Sequence, residues 1–202
     1  MRALFRDLTL VVACVISMAA CAGNNGGGSP VELTPAQMRS AMPDRESLPA
    51  GWRGEADPQV LEGKDAFTKC LSMAASCRSA GQVVMGTDSY DQGTVNRGDG
   101  DFEHTAHVVV LSFESIKAAD AVMKNLASSG RSRLSPQPTQ INAGAQVTEA
   151  WSENESDGYV TRVTMRVDRV VVGIVGEKLK QPGDIQPIAK ILVVQVNKAS
   201  QG

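Results

Sequence analysis

Apolar and polar residues alternate most cleanly between Tyr159 and Val167. Tyr159, Thr161, Val163, Met165 and Val167 share one side, and Val160, Arg162, Thr164 and Arg166 the other. A period of two with one apolar and one wet side marks an antiparallel strand half-buried on a core. Strands are predicted on either side of it, over Ala145–Glu153 and Arg169–Gly176. Asn154 to Gly158 and the Asp168-Arg169 step between them are short enough for hairpin turns. Two earlier segments, Gln82–Asp88 and His104–Phe113, also read as strands, and the second is apolar over enough of its length to be central. Ser89–Gly100 between them is polar and rich in Gly and Asp, and reads as a loop.

Helical spacing appears elsewhere. In Glu114–Ser128 the residues Ile116, Ala119, Val122, Met123 and Leu126 fall on one face, and Gly130 supplies a stop. Leu61–Ala75 is a second helix. Thr34-Pro35 is the start of a third, with Thr at the N-cap and Pro at the first helical position. Ile185–Asn197, after Pro182-Gly183-Asp184, carries Ile188, Ile191, Leu192 and Val196 at helical spacing, although Val193-Val194-Gln195 also permits a strand. Ser47–Trp52 is an extended or turn segment that delivers an indole onto the domain, and Pro136 and Pro138 mark a loop. The order of elements predicts an α+β fold, a single antiparallel sheet with helices packed mainly on one face. No internal repeat is visible.

Composition narrows the class. The 202 residues are 42% hydrophobic and 21% charged, enough for one core and too apolar for wholesale disorder. A formal net charge of −2 gives no basic footprint, so nucleic acid is not an expected partner.

Only the N-terminus is apolar enough to meet a membrane. Arg2 and Arg6 precede an apolar run, Leu8 to Ala20, that is too short to cross a hydrocarbon core, which needs about 20 residues. It ends in Met18-Ala19-Ala20-Cys21, which resembles the lipobox of bacterial lipoproteins, with Met in place of the preferred Leu. The resemblance implies diacylglycerol on Cys21 and cleavage before it, hence a membrane anchor. The expected organisation is a signal peptide over 1–20, a lipidated Cys and Gly-rich tether over 21–33, and one extracytoplasmic domain over 34–202.

Cys14 leaves with the signal, so Cys70 and Cys77 are left for a disulfide in an exported domain. Seven residues of continuous helix would hold their Cα atoms about 10.5 Å apart, and a bridge needs under about 7 Å. Either the helix stops before Cys77 or there is no bridge.

Candidate chemistry is sparse. His104 and His107 lie three apart in a strand and so point to opposite faces, unable to share a metal. Asp88, Asp91, Asp99, Asp101 and Glu103 form an acidic loop without the Asx-Gly turn of a calcium site, and read as a solvated surface. No nucleophile elbow, Cys–His couple or phosphate loop is present, and no catalytic residue, metal or cofactor is expected. Asn154-Glu155-Ser156 matches a glycosylation sequon by chance.

The segments Leu48-Pro49-Ala50-Gly51-Trp52, Val109-Val110-Leu111-Ser112-Phe113 with the Ala118–Ala121 helix, and Arg166-Val167-Asp168-Arg169-Val170-Val171-Val172 resemble cell-envelope lipoproteins of actinobacteria. The architecture is similar to the extracellular sensor domain of mycobacterial receptor serine/threonine kinases. That resemblance implies a central sheet, flanking helices, disulfides and a cleft for an unidentified ligand. The family's domains carry two disulfides, and only one is possible here. The expected function is a non-enzymatic binding or sensor-like module. Its partner is a small apolar ligand held in a cleft or, alternatively, another envelope protein bound without a small ligand. Trp52, Phe113, Trp151 and Tyr159 are the residues expected to line such a cleft, and core packing explains each of them as well.

Overall fold

The computed structural model describes residues 32–54, 57–92, 104–131 and 136–202. The signal, Cys21, the Gly-rich run, and Asp99, Asp101 and Glu103 of the acidic loop lie outside them. The described chain forms α1 (Pro35–Ala41), β1 (Trp52–Gly54), β2 (Gln59–Leu61), α2 (Gly63–Met73), β3 (Val83–Gln92) and β4 (His104–Phe113). There follow α3 (Ile116–Arg131), β5 (Gln137–Pro138), β6 (Val147–Glu155), β7 (Gly158–Val167), β8 (Val170–Leu179) and α4 (Gln186–Ala199).

One eight-stranded sheet runs β1-β3-β4-β8-β7-β6-β5, with β2 also paired to β3. Every pairing is antiparallel. The α+β class and the single sheet are as the sequence predicts.

Local chemistry sets the ends of the elements. Thr34 caps α1 through a box in which its hydroxyl accepts from the Gln37 amide and the Gln37 side chain returns to Thr34 N–H. After α2, Ala74 goes extended and a short 3-10 turn, Ala75–Ser79, swings Cys77 back. The Cα atoms of Cys70 and Cys77 then sit 5.9 Å apart and the disulfide closes. The helix stops where the bridge required.

Elsewhere tertiary pairing overrides local composition. β3 continues through Ser89–Gln92, which the sequence assigns to a loop, because all ten of its residues pair with β4. Its Tyr90 side chain is fully buried. Gly130 does not stop α3, which runs on to Arg131. Gln137–Pro138 forms a two-residue strand on β6 within a predicted loop. Ile185–Asn197 resolves to helix α4, and Val194 simply points outward, 63% exposed.

The helices are not mainly on one face; they divide two and two. α1 and α4 close one face, with Met38, Ile188, Leu192 and Val196 packed on Val108, Val110, Val163, Met165, Val172 and Ile174. α2, its 3-10 turn and α3 pack on the other, over Val83, Met85, Leu111, Phe113 and Val171. Neither side of β7 is wholly wet, since Val160 and Thr164 are buried along with Val163 and Met165. The signal for two covered faces is in β8, where Val170, Val171 and Val172 run on without alternation.

Candidate functional site

The α2/α3 layer covers only part of its face. Strand register builds transverse rows across the sheet. Met85, Leu111, Val171 and Arg166 form one row, which lies under the helices and is tied to α3 where Asp120 pairs with Arg166 at 2.6 Å. The next row is Thr87, Val109, Gly173, Thr164 and Glu149. Beyond it come Ser89, His107, Val175, Arg162 and Trp151. The middle of these rows, Val109, Gly173 and Thr164 with His107, Val175, Arg162 and Trp151, is the floor of a trough of about 520 Å³ walled by Leu126, Ala127 and Ser129 of α3 and by Met73 at the end of α2.

Its depth depends on a residue with no side chain. A Cβ at Gly173 would stand 2.9 Å from Cγ1 of Val109, with no other atom within 4 Å, so it would crowd the floor and rise into the open space. A lone glycine inside an apolar strand commonly marks such a place.

The rim is polar and mostly paired. Arg131, at the end of α3, lies over the Trp151 ring with its guanidinium carbon 4.5 Å from the centroid, and it ion-pairs with Glu149. Arg162 donates to Glu153 at 2.6 Å. Nδ1 of His107 is 2.9 Å from the Ser89 hydroxyl. Trp151 Nε1 is buried without a hydrogen-bond partner. The trough is therefore an apolar channel with a charged, hydrogen-bonding outer side, an arrangement suited to holding a ligand.

The four aromatic residues that the sequence nominates do not converge. Trp151 lines the trough. Phe113 is fully buried in the core beneath α2 and α3. Tyr159 packs half-buried against the core of the opposite face. Trp52 is buried at one end of the sheet, lining a separate cavity of about 530 Å³ with Pro49, Gly51, Gln92, His104 and Asp184. His104 is buried there with Nδ1 donating to the Lys178 carbonyl at 2.6 Å. Arg162, His107, Gly173 and Glu177 were not nominated, and only strand register gathers them. The glycine within the β8 apolar run was the available sign.

Two acidic groups stand apart from solvent chemistry. Burial, chiefly, pushes the Asp88 carboxyl above the usual range, against the pull of hydrogen bonds from Ser89 and Tyr90. Burial likewise drives the Tyr90 phenol far up, so it stays protonated. Among the described residues no group of three or more His, Cys, Asp or Glu could hold a metal ion.

Fold and site together define an α+β domain with an antiparallel sheet covered on one face and half open on the other. In three dimensions the chain is similar to the extracellular domain of PknH from Mycobacterium tuberculosis. The TM-score is 0.56 at 12% sequence identity, over 84% of this chain and 99% of that domain. At that identity the likeness is one of fold, and in fold the expected resemblance to a mycobacterial kinase's extracellular domain holds. No protein-family profile and no curated protein matches the chain in sequence.

Proposed function

We propose that the chain is an extracytoplasmic, sensor-like binding module, anchored by lipid on Cys21, whose ligand occupies the trough between α3 and the open rows of the sheet. The observation that carries this reading is the trough itself, an apolar channel that α2 and α3 leave uncovered on the sheet. The fold likeness to an extracellular domain supports the placement outside the membrane. The anchor is read from the lipobox-like Met18–Cys21; among the described residues no helix is long and apolar enough to cross a membrane.

A ligand is favoured over a protein partner. Among the described residues the large apolar side chains exposed outside the trough are Ile116, Val147 and Val194, one to each of three elements. Ile116 and Val194 belong to helices on opposite faces, the scatter of an ordinary surface and not of a docking patch. The reading is non-enzymatic; the Ser89–His107 hydrogen bond joins adjacent strands, and among the described residues no further side-chain hydrogen bond orients the imidazole.

Native mass spectrometry of the chain taken from the membrane fraction of its source cell, against the same sample denatured, tests this. Mass lost on denaturation identifies a carried ligand, and a denatured mass above the bare chain by a diacylglycerol identifies the anchor. A complex of bare protein mass overturns the ligand reading in favour of an envelope-protein partner, to be sought by crosslinking.

A further inference from the structure

We infer that the trough takes an uncharged, single-chain amphiphile with a hydroxyl-rich head, an inference that rests on the trough being the binding site proposed above. The trough is divided across its width. Next to α3 it is apolar, with Val109 and Gly173 beneath and Leu126, Ala127 and Met73 alongside. This half buries an alkyl chain, and each methylene contributes about 0.8 kcal/mol. The outer half holds Arg162, His107 and Trp151 in one row and Glu177 beyond it.

The charges there select the head. Arg162 is already held by Glu153 at 2.6 Å, while Glu177 has no ion pair among the described residues. A carboxylate or phosphate head would meet that uncompensated negative charge. A lone ammonium would answer Glu177 but present no acceptor to the Arg162 N–H groups not spent on Glu153. Hydroxyls both donate and accept, so a polyol satisfies Glu177 and the donors together.

The chain has two tryptophans, one in each cavity, and they report separately. The full chain carrying Cys21→Ser, and so no acyl groups of its own, is titrated with octyl glucoside, octanoate and octylammonium below their micelle concentrations. In a Trp52→Phe background octyl glucoside should shift Trp151 emission with a dissociation constant about ten-fold below either charged probe. Should W52F not fold, the difference between the parent and Trp151→Phe titrations isolates the same signal. Glu177→Gln should bring octanoate to within about three-fold of the glucoside. A charged probe that binds the parent as tightly as the glucoside overturns the choice of head and leaves the trough as the site. No Trp151 response to any probe, or a response from Trp52 alone, overturns the trough itself.

Discussion

The two faces of the sheet are built from the same strands and end in different states. On the α1/α4 face the packed side chains over the middle of the sheet are buried, many of them fully, with Tyr159 half-buried at the margin. On the α2/α3 face the helices cover one end of the sheet and leave two rows open. The helices of the half-open face are the longer in one case and the disulfide-bound in the other: α3 has 16 residues, and α2 is stapled to the turn that follows it. Helix length therefore does not decide closure. What differs is position, because α2 and its turn are held to β3 beside α3, over the same rows. One face supplies stability and the other is left with space.

That contrast is open to direct attack. Leu192, fully buried on α4, should lose about 2–5 kcal/mol when cut to Ala. Leu126, a half-buried wall of the trough, should lose about 1 kcal/mol on the same change, because its methyl groups already border open space. Urea unfolding of both variants gives the comparison. Equal losses would mean that the trough is as tightly filled as the core, and the distinction between the faces would fall.

The sequence showed most of this fold but not the site, and the reason is physical. Element type follows from local pattern, so Thr34-Pro35 marked a helix start and the Tyr159–Val167 alternation a strand. The Cys70–Cys77 spacing required the helix to stop before Cys77 if the two were to be bridged, and it stops at Met73. Which face a helix covers is a tertiary matter. The wet side of β7 was a sound inference from Arg162, Thr164 and Arg166, yet Thr164 is buried low on the trough floor and Arg166 is drawn to Asp120 on α3. The trough depends on register across four strands, and no single strand carries it. Aromatic residues were natural nominees, and their large apolar surfaces sent Phe113 into one core and Tyr159 against the other.

Two glycines sharpen the comparison at smaller cost. Gly86 of β3 faces α1, where an added Cβ would come within 3.0 Å of Met42 Sδ and 3.1 Å of Met38 Sδ. Both methionines are buried, so Gly86→Ala should cost about 1–3 kcal/mol as the core shifts. Gly173→Ala meets only Val109, which has open trough beside it, and should cost under about 1 kcal/mol. Its larger consequence is on binding, since the methyl group occupies the floor. Thermal unfolding and the Trp151 titration together should show Gly86→Ala less stable with ligand response intact, and Gly173→Ala stable with the response weakened. The reverse pattern would place the functional space on the α1 side.

The smallest effect concerns charge on the closed side. Neighbours on β3 face opposite ways: Ser89 meets His107 on the open face, and Asp88 turns toward Tyr90 on the closed one. Burial raises the folded-state pKa of Asp88 above that of the unfolded chain, about 3.9. The folded protein then holds the proton more tightly than the unfolded one. The stability this brings is complete below the unfolded pKa and is lost as pH rises through the folded value. Asp88→Asn keeps an oxygen for the Ser89 N–H, now 2.7 Å from Oδ1, and carries no charge to desolvate. It should therefore be more stable than the parent at pH 7, and the gain should vanish near pH 3. Because the carboxyl is half-exposed, solvent screens it and the gain stays under about 1 kcal/mol. Unfolding curves at the two pH values decide the matter. A variant less stable than the parent at pH 7 would mean that the hydrogen bonds from Ser89 and Tyr90 to the ionised form outweigh its burial, and that the closed face tolerates charge as readily as the open one.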